Sequence, residues 1–211
     1  MKSFKNYITA IFLFVINVSL LMGQTSPDTS ATYKMTDQST MKITGTSTVH
    51  DWEANVEGFD VQLKLNPQAK KVETPQPEHY KSVTVEVPVK SIESGKGGMN
   101  NKIYGALKEK KHPKIRFNLN EVSRVDSPTE DTTFTLTLSG ELTIAGVTRS
   151  VKLSDVNGQQ HPDGTYQFKG SKSMKMTEFE VDPPSAMFGA IKAGDEITVA
   201  FDVTMKPSNK Q

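Results

Sequence analysis

The stretch Ile197-Thr-Val-Ala-Phe-Asp-Val-Thr-Met205 puts Ile197, Val199, Phe201, Val203 and Met205 on one face and Thr198, Ala200, Asp202 and Thr204 on the other. A period of two is that of a half-buried β-strand, because successive side chains leave a strand on opposite sides. The period recurs upstream. Trp52, Ala54 and Val56 continue past Gly58 as Phe59, Val61, Leu63 and Leu65, which predicts two strands or one long strand bent at the glycine. Val83, Val85, Val87 and Val89 form another face, with Pro88 marking an edge, a bulge or a strand end, and Ile115, Phe117 and Leu119 form the next. Phe134, Leu136 and Leu138 run through Gly140 to Leu142 and Ile144. There Ala145-Gly146 predicts a tight hairpin into Val147 to Leu153. Asp163-Gly164 predicts a turn before Tyr166 and Phe168, and Met174 and Met176 lead to the terminal strand.

One segment departs from this period. Met99, Ile103 and Leu107 recur every four residues, bounded by Gly97-Gly98 and His112-Pro113, and predict a short amphipathic helix that caps an open end. The hydrophilic stretches Asn66 to Lys81 and Ser123 to Asp131 read as exposed loops. About eight strands joined by short turns predict an all-β fold, either a two-sheet sandwich or an antiparallel up-and-down barrel, which removes both sheet edges. At eight strands the interior is either filled by side chains or holds one small ligand.

The N-terminus alters the compartment. Lys2 and Lys5 precede an apolar run from Ile8 to Met22, and Gly23 suits cleavage before Gln24, so residues 1–23 read as a signal peptide and the mature protein as periplasmic or secreted. Residues 24–38, with the polar Thr25 to Thr32, read as a flexible lead-in, 39–206 as one domain and 207–211 as a tail. The chain has no cysteine, which excludes disulfides, thiol catalysis and lipidation at a cysteine, so the exported domain must rely on its core. Without Lys2 and Lys5 the balance is 23 basic against 24 acidic residues, unlike the basic footprint of a nucleic-acid binder.

Candidate chemistry is sparse. His50, His79, His112 and His161 follow no metal-ligand spacing. Adjacent His50 and Asp51 would point to opposite faces of a strand. Ser47 and Ser91 lack a nucleophile-elbow context, and Gly95-Lys-Gly-Gly98 lacks the rest of a phosphate loop. Neither an enzyme nor a metal protein is expected.

Several segments together resemble the YceI-like family. They are Gly45-Thr-Ser-Thr-Val-His-Asp-Trp52, Val87 to Ser94 (VPVKSIES) leading into Met99 to Leu107, and His112-Pro-Lys-Ile-Arg-Phe117, with His112 where the family carries an aromatic residue. The most specific is Gly140-Glu-Leu-Thr-Ile-Ala-Gly-Val-Thr-Arg149, and Met174 to Gly189 followed by Gly194 to Val199 completes the set. The resemblance covers residues 39–206. It implies a lipocalin-like barrel around an apolar channel for a polyisoprenoid chain, such as the tail of an isoprenoid quinone. The expected partner is an amphiphilic isoprenoid lipid, with transient membrane contact and a homodimer as options.

On the inward phase, the expected ligand-binding residues are Phe59, Val61, Leu63, Phe117, Phe134, Leu136, Phe168, Met176, Phe179, Met187, Phe188 and Phe201. Such residues fill an ordinary core equally well. The competing function is therefore a non-catalytic interaction module whose filled barrel presents the loops Asn66 to Lys81 and Gly95 to Asn101.

Overall fold

The structure is a computed structural model and describes residues 30–71, 76–126 and 132–208. The expected signal peptide, residues 1–23, lies outside the described residues. The strands are β1 (Ala31–Met35), β2 (Thr40–Ser47), β3 (Trp52–Val56), β4 (Asp60–Leu65), β5 (Tyr80–Pro88), β6 (Ile92–Glu93), β7 (Lys114–Asp126), β8 (Thr133–Ile144), β9 (Val147–Gln160), β10 (Tyr166–Lys175), β11 (Ser185–Ala186) and β12 (Ile191–Pro207). The α-helix α1 spans Gly97–Ala106, so it includes the two glycines expected to precede it.

All pairings are antiparallel, and the order β1-β4-β5-β7-β8-β9-β10-β12 closes on itself through β1 and β12. This is an eight-stave up-and-down barrel. Three staves are broken. β1 and β2 lie in succession along β12, β3 and β4 pair with β2 and β1, and β5 continues as β6 after the 3-10 turn Val89–Ser91. Gly58 sits in the break between β3 and β4, and Pro88 ends β5, as their residue types predict.

Two strand limits differ from the expectation. β1 lies inside the expected lead-in, with Ala31 and Tyr33 buried, and β12 runs into the expected tail through Pro207. Both stretches look polar in sequence, yet each supplies the backbone partners that close the barrel. The expected loop Ser123 to Asp131 gives up its first residues to β7, which extends to Asp126. The reason is a change of phase. The β7–β8 register shifts between Leu119 and Glu121 and again between Val122 and Arg124, so bulges carry the inward row from Leu119 to Val122. A similar shift on β9, with Asp155 at φ 59°, brings Val156 inward after Leu153.

The β8–β9 hairpin turns at Ala145 (φ 50°) and Gly146 (φ 87°), the two positive φ values of a tight hairpin whose twist matches its strands. Of the Asn66 to Lys81 loop, the described parts form 3-10 turns at Pro67–Lys71 and Pro77–His79, and Ala69 is fully buried beneath the barrel end.

One end of the barrel is packed solid. Ala31, Tyr33, Leu65, Ala69, Phe134, Tyr166 and Met205 are all buried there. Tyr33 meets Tyr166 edge-on at 5.3 Å, and Phe134 meets Phe168 edge-on at 6.2 Å. At the other end α1 sets Ile103 and Leu107 against a cluster around Ala54, Val56, Val87 and Ile92, and Ala106 and Leu107 against Ala145, Phe179 and Val181. The N-cap residue Lys96 makes no side-chain cap hydrogen bond to α1 among the described residues. Polar contacts hold the helix instead. Buried Asn100 accepts from Ser94 N (2.9 Å) and Ser94 Oγ (2.6 Å) and donates to Glu93 Oε2, while Tyr104 donates to Glu93 Oε1 (2.8 Å). Burial, then the Glu93 hydrogen bond, pushes the Tyr104 hydroxyl up to about 12.

Candidate functional site: an apolar cavity open beneath the helix

Between the packed end and α1 the barrel encloses a cavity of about 590 Å³. That volume lies within the range of roughly 300–1,000 Å³ usual for small-molecule sites. Its wall is built from the inward rows of the staves and from Met99, Ile103, Ala106 and Leu107 of the helix.

The wall stays open because several inward aromatic rings lie against glycines on neighbouring strands instead of across the lumen. Of the wall rings, Phe201 would lie 2.8 Å from a Cβ at Gly170 and Phe117 2.5 Å from one at Gly140, and at the packed end Phe134 would lie 2.2 Å from one at Gly158. Phe134 faces Gly158, and Phe201 faces Gly170, in the strand register. Trp52 covers Gly45 in the same way and donates its indole N–H to the Thr46 carbonyl (2.9 Å). A side chain at these glycines would push the rings toward the centre.

Of the residues expected to line a channel, Val61, Leu63, Phe117, Leu136, Phe168, Met176, Phe179 and Phe201 do line this cavity. Phe59 and Phe134 pack into the core around it. Met187 and Phe188 are corrections: they stand 72% and 113% exposed, outside the lumen. Both occupy the left-handed region (φ 49° and 54°) in a kinked 3-10 turn, which presents them to solvent and not to the lumen. The bulges hid Val122 and Val156 from a strict alternation, and Met41 and Ile43 of β2 also line the wall without having been singled out.

Polar groups sit mainly at the helical end. Ser47, His50, Lys96, Lys102, Lys175 and Ser185 line the mouth, Lys172 lies in the inward row of β10, and among the described residues no carboxylate belongs to the lining. Lys102 Nζ donates to the Ser185 carbonyl, tying α1 to β11 across the opening. At the deep end stands Tyr80, whose buried hydroxyl has no hydrogen-bond partner among the described residues and whose pKa burial pushes far up. Among the described residues no three His, Asp or Glu side chains converge as metal ligands do. Also among them, no helix is long and apolar enough to cross a membrane.

A family profile described as YceI-like domain matches residues 28–205. The chain belongs to the YceI-like family. No curated protein matches it. Solved structures share the fold at low identity. A polyisoprenoid-binding domain from Saccharophagus degradans aligns with TM-score 0.61 and 10% identity, over 83% of this chain and 98% of that one. BcnA of Burkholderia cenocepacia gives 0.57 and 20%, over 79% and 95%. The YceI protein of Campylobacter jejuni gives 0.52 and 16%, over 74% and 85%. The closed antiparallel barrel is the lipocalin-like fold that the YceI-like resemblance implies, and it decides between the sandwich and the barrel that the strand pattern left open.

Proposed function

We propose that this YceI-like protein is an exported, non-catalytic lipid-binding protein that holds a polyisoprenoid chain, such as an isoprenoid-quinone tail, as a carrier, buffer or sensor. The observation that carries this reading is the 590 Å³ apolar cavity, preformed in a barrel whose aromatics are folded back onto glycines. A chain of methyl and methylene groups asks for a long apolar wall and one polar end. The cavity provides both, with its lysines at the mouth. The structural neighbour from Saccharophagus degradans is described as polyisoprenoid-binding, which supports the same class of ligand. Periplasmic or secreted placement follows from the signal-like residues 1–23.

Size and energy shape the role. At about 30 Å³ per water the cavity holds roughly twenty water volumes, so a long isoprenoid tail fills it and continues out through the mouth. Burying the roughly twenty carbons that fit the cavity would nominally gain about 16 kcal/mol from water at ~0.8 kcal/mol per CH₂, close to the ceiling near 20 kcal/mol for non-covalent binding. Exchange with a membrane is therefore the relevant equilibrium, and between two hydrocarbon-like media its free energy is small. Loading and release are then both feasible.

Organic extraction of the purified protein followed by mass spectrometry tests the reading. A stoichiometric isoprenoid lipid is expected. A barrel that carries no lipid and takes none from liposomes sinks the proposal in favour of a module that acts through its loops.

A further inference from the structure

Among the described residues the large apolar side chains that stand exposed are Val49 (63%), Met187 (72%) and Phe188 (113%). They are far apart in sequence and close in the fold. Val49 lies in the turn between β2 and β3, and Met187 and Phe188 lie in the turn between β11 and β12. Thr48 N donates to the Lys192 carbonyl (3.0 Å), Thr48 Oγ1 donates to the Ala190 carbonyl (3.4 Å), and Ala190 N donates to the Met187 carbonyl (3.1 Å). These bonds join the two turns into one tip. The same segments border the cavity mouth, since Ser47, His50, Ser185, Ile191 and Ala193 belong to its lining. Lys96, Lys102 and Lys175 stand around the opening and exposed Lys192 lies between the turns; the carboxylates of the adjoining segments are Asp51, Asp182, Glu178, Glu180 and Asp195, and Asp195, which accepts from Thr177, also faces Lys175, so Lys96, Lys102 and Lys192 carry most of the positive charge.

We infer that this tip is a membrane-docking surface: Val49, Met187 and Phe188 enter the interface of an anionic bilayer, the lysines meet its headgroups, and the mouth is held against the lipid. An isolated exposed apolar residue is ordinary, but three at one rim are not. Two consecutive non-glycine residues in the left-handed region keep Met187 and Phe188 turned outward at an energetic cost. Aromatic and aliphatic side chains beside lysines are the composition that partitions into an anionic interface. The inference rests on the lipid-binding reading for its purpose and on the exposed tip for its geometry. Docking without extractable lipid would leave a membrane-associated empty barrel, and extractable lipid without docking would leave a carrier that loads by another route.

The chain has no cysteine, so Val49→Cys in the full chain accepts one environment-sensitive fluorophore, and Pro162→Cys at the opposite barrel end serves as control. With phosphatidylcholine vesicles containing phosphatidylglycerol, the probe at 49 should brighten and shift to the blue while that at 162 stays unchanged. Vesicles without phosphatidylglycerol should give several-fold weaker binding, and inorganic phosphate alone should give no response. Met187→Ser with Phe188→Ser, both at exposed positions that leave the core untouched, should weaken partitioning about tenfold or more. A chain that floats with vesicles while probe 49 stays silent binds through its N-terminal apolar run, and overturns the inference. So does a double variant that partitions within twofold of the parent, or a dimer in sedimentation that the double variant dissolves.

Discussion

Leu138→Trp separates an open channel from a filled core. Leu138 is a half-buried wall position, two residues from Leu136 in the inward row of β8 and level with Leu153 of β9 and Val122 of β7. In a close-packed interior, enlarging such a residue costs about 1–3 kcal/mol because its neighbours must leave their rotamers. Here the larger ring faces a cavity of about 590 Å³, room for roughly twenty waters at ~30 Å³ each. The indole therefore extends into space already present and gains apolar burial. The expected change in the lipid-free protein is within about 1 kcal/mol, or about 4 °C in Tm for a chain of this size. Urea unfolding of delipidated protein, read as a midpoint shift at constant slope, measures it. Phe134→Trp in the packed end is the contrast and should lose about 1–3 kcal/mol, because Phe134 is 2% exposed between Phe168 and Gly158. Lipid carried per barrel should fall several-fold for Leu138→Trp. A loss of ~3 kcal/mol at Leu138 would refute the reasoning by showing that the space is not there, and an unchanged lipid load would show that no chain passes this position.

Further expectations concern the packing that shapes the cavity. Gly158→Ala should destabilise by about 1–3 kcal/mol in thermal unfolding, since its Cβ would meet a fully buried Phe134 ring; a neutral outcome would mean that the ring is free to move. Tyr80→Phe removes a buried hydroxyl that has no partner among the described residues, so delipidated protein should be as stable as the parent or up to about 1–2 kcal/mol more stable. A clear loss would reveal a partner for that hydroxyl. Tyr33, Tyr80, Tyr104 and Tyr166 all have pKa values raised by burial above the usual 10.0. The native state therefore retains protons that the unfolded chain gives up, and stability should be intact below pH 10.0 and fall as pH rises through and beyond it. Urea midpoints across that range check the sign, and Tyr104→Phe should remove the part that titrates up to about 12. Within a series of isoprenoid lipids sharing one headgroup, affinity should climb with chain length and level off beyond roughly twenty carbons, where the cavity is full. A steady climb to longer chains would show that the barrel widens.

The sequence by itself determined the strand periodicity, most turns and the class of fold. Alternation at Ile197 to Met205, the Ala145-Gly146 hairpin and the break at Gly58 are local consequences of side-chain direction and backbone freedom, and they can be read without a partner strand. The YceI-like segments made the barrel legible as well. Tertiary structure alone decided where the chain closes and what its interior contains. β1 carries a weak pattern and acquires its meaning from pairing with β4 and β12. Bulges in β7 and β9 change the phase through cross-strand register, which a strict period of two cannot follow, so Val122 and Val156 were missed. Whether Phe201 fills the core or walls a channel depended on Gly170 in the next stave, where the ring finds a place to lie. Met187 and Phe188 read as apolar lining by residue type alone, and it is their left-handed backbone that presents them to solvent. An apolar residue records only that it avoids water; whether it does so in a core, along a cavity or against another phase is set by what the fold brings beside it.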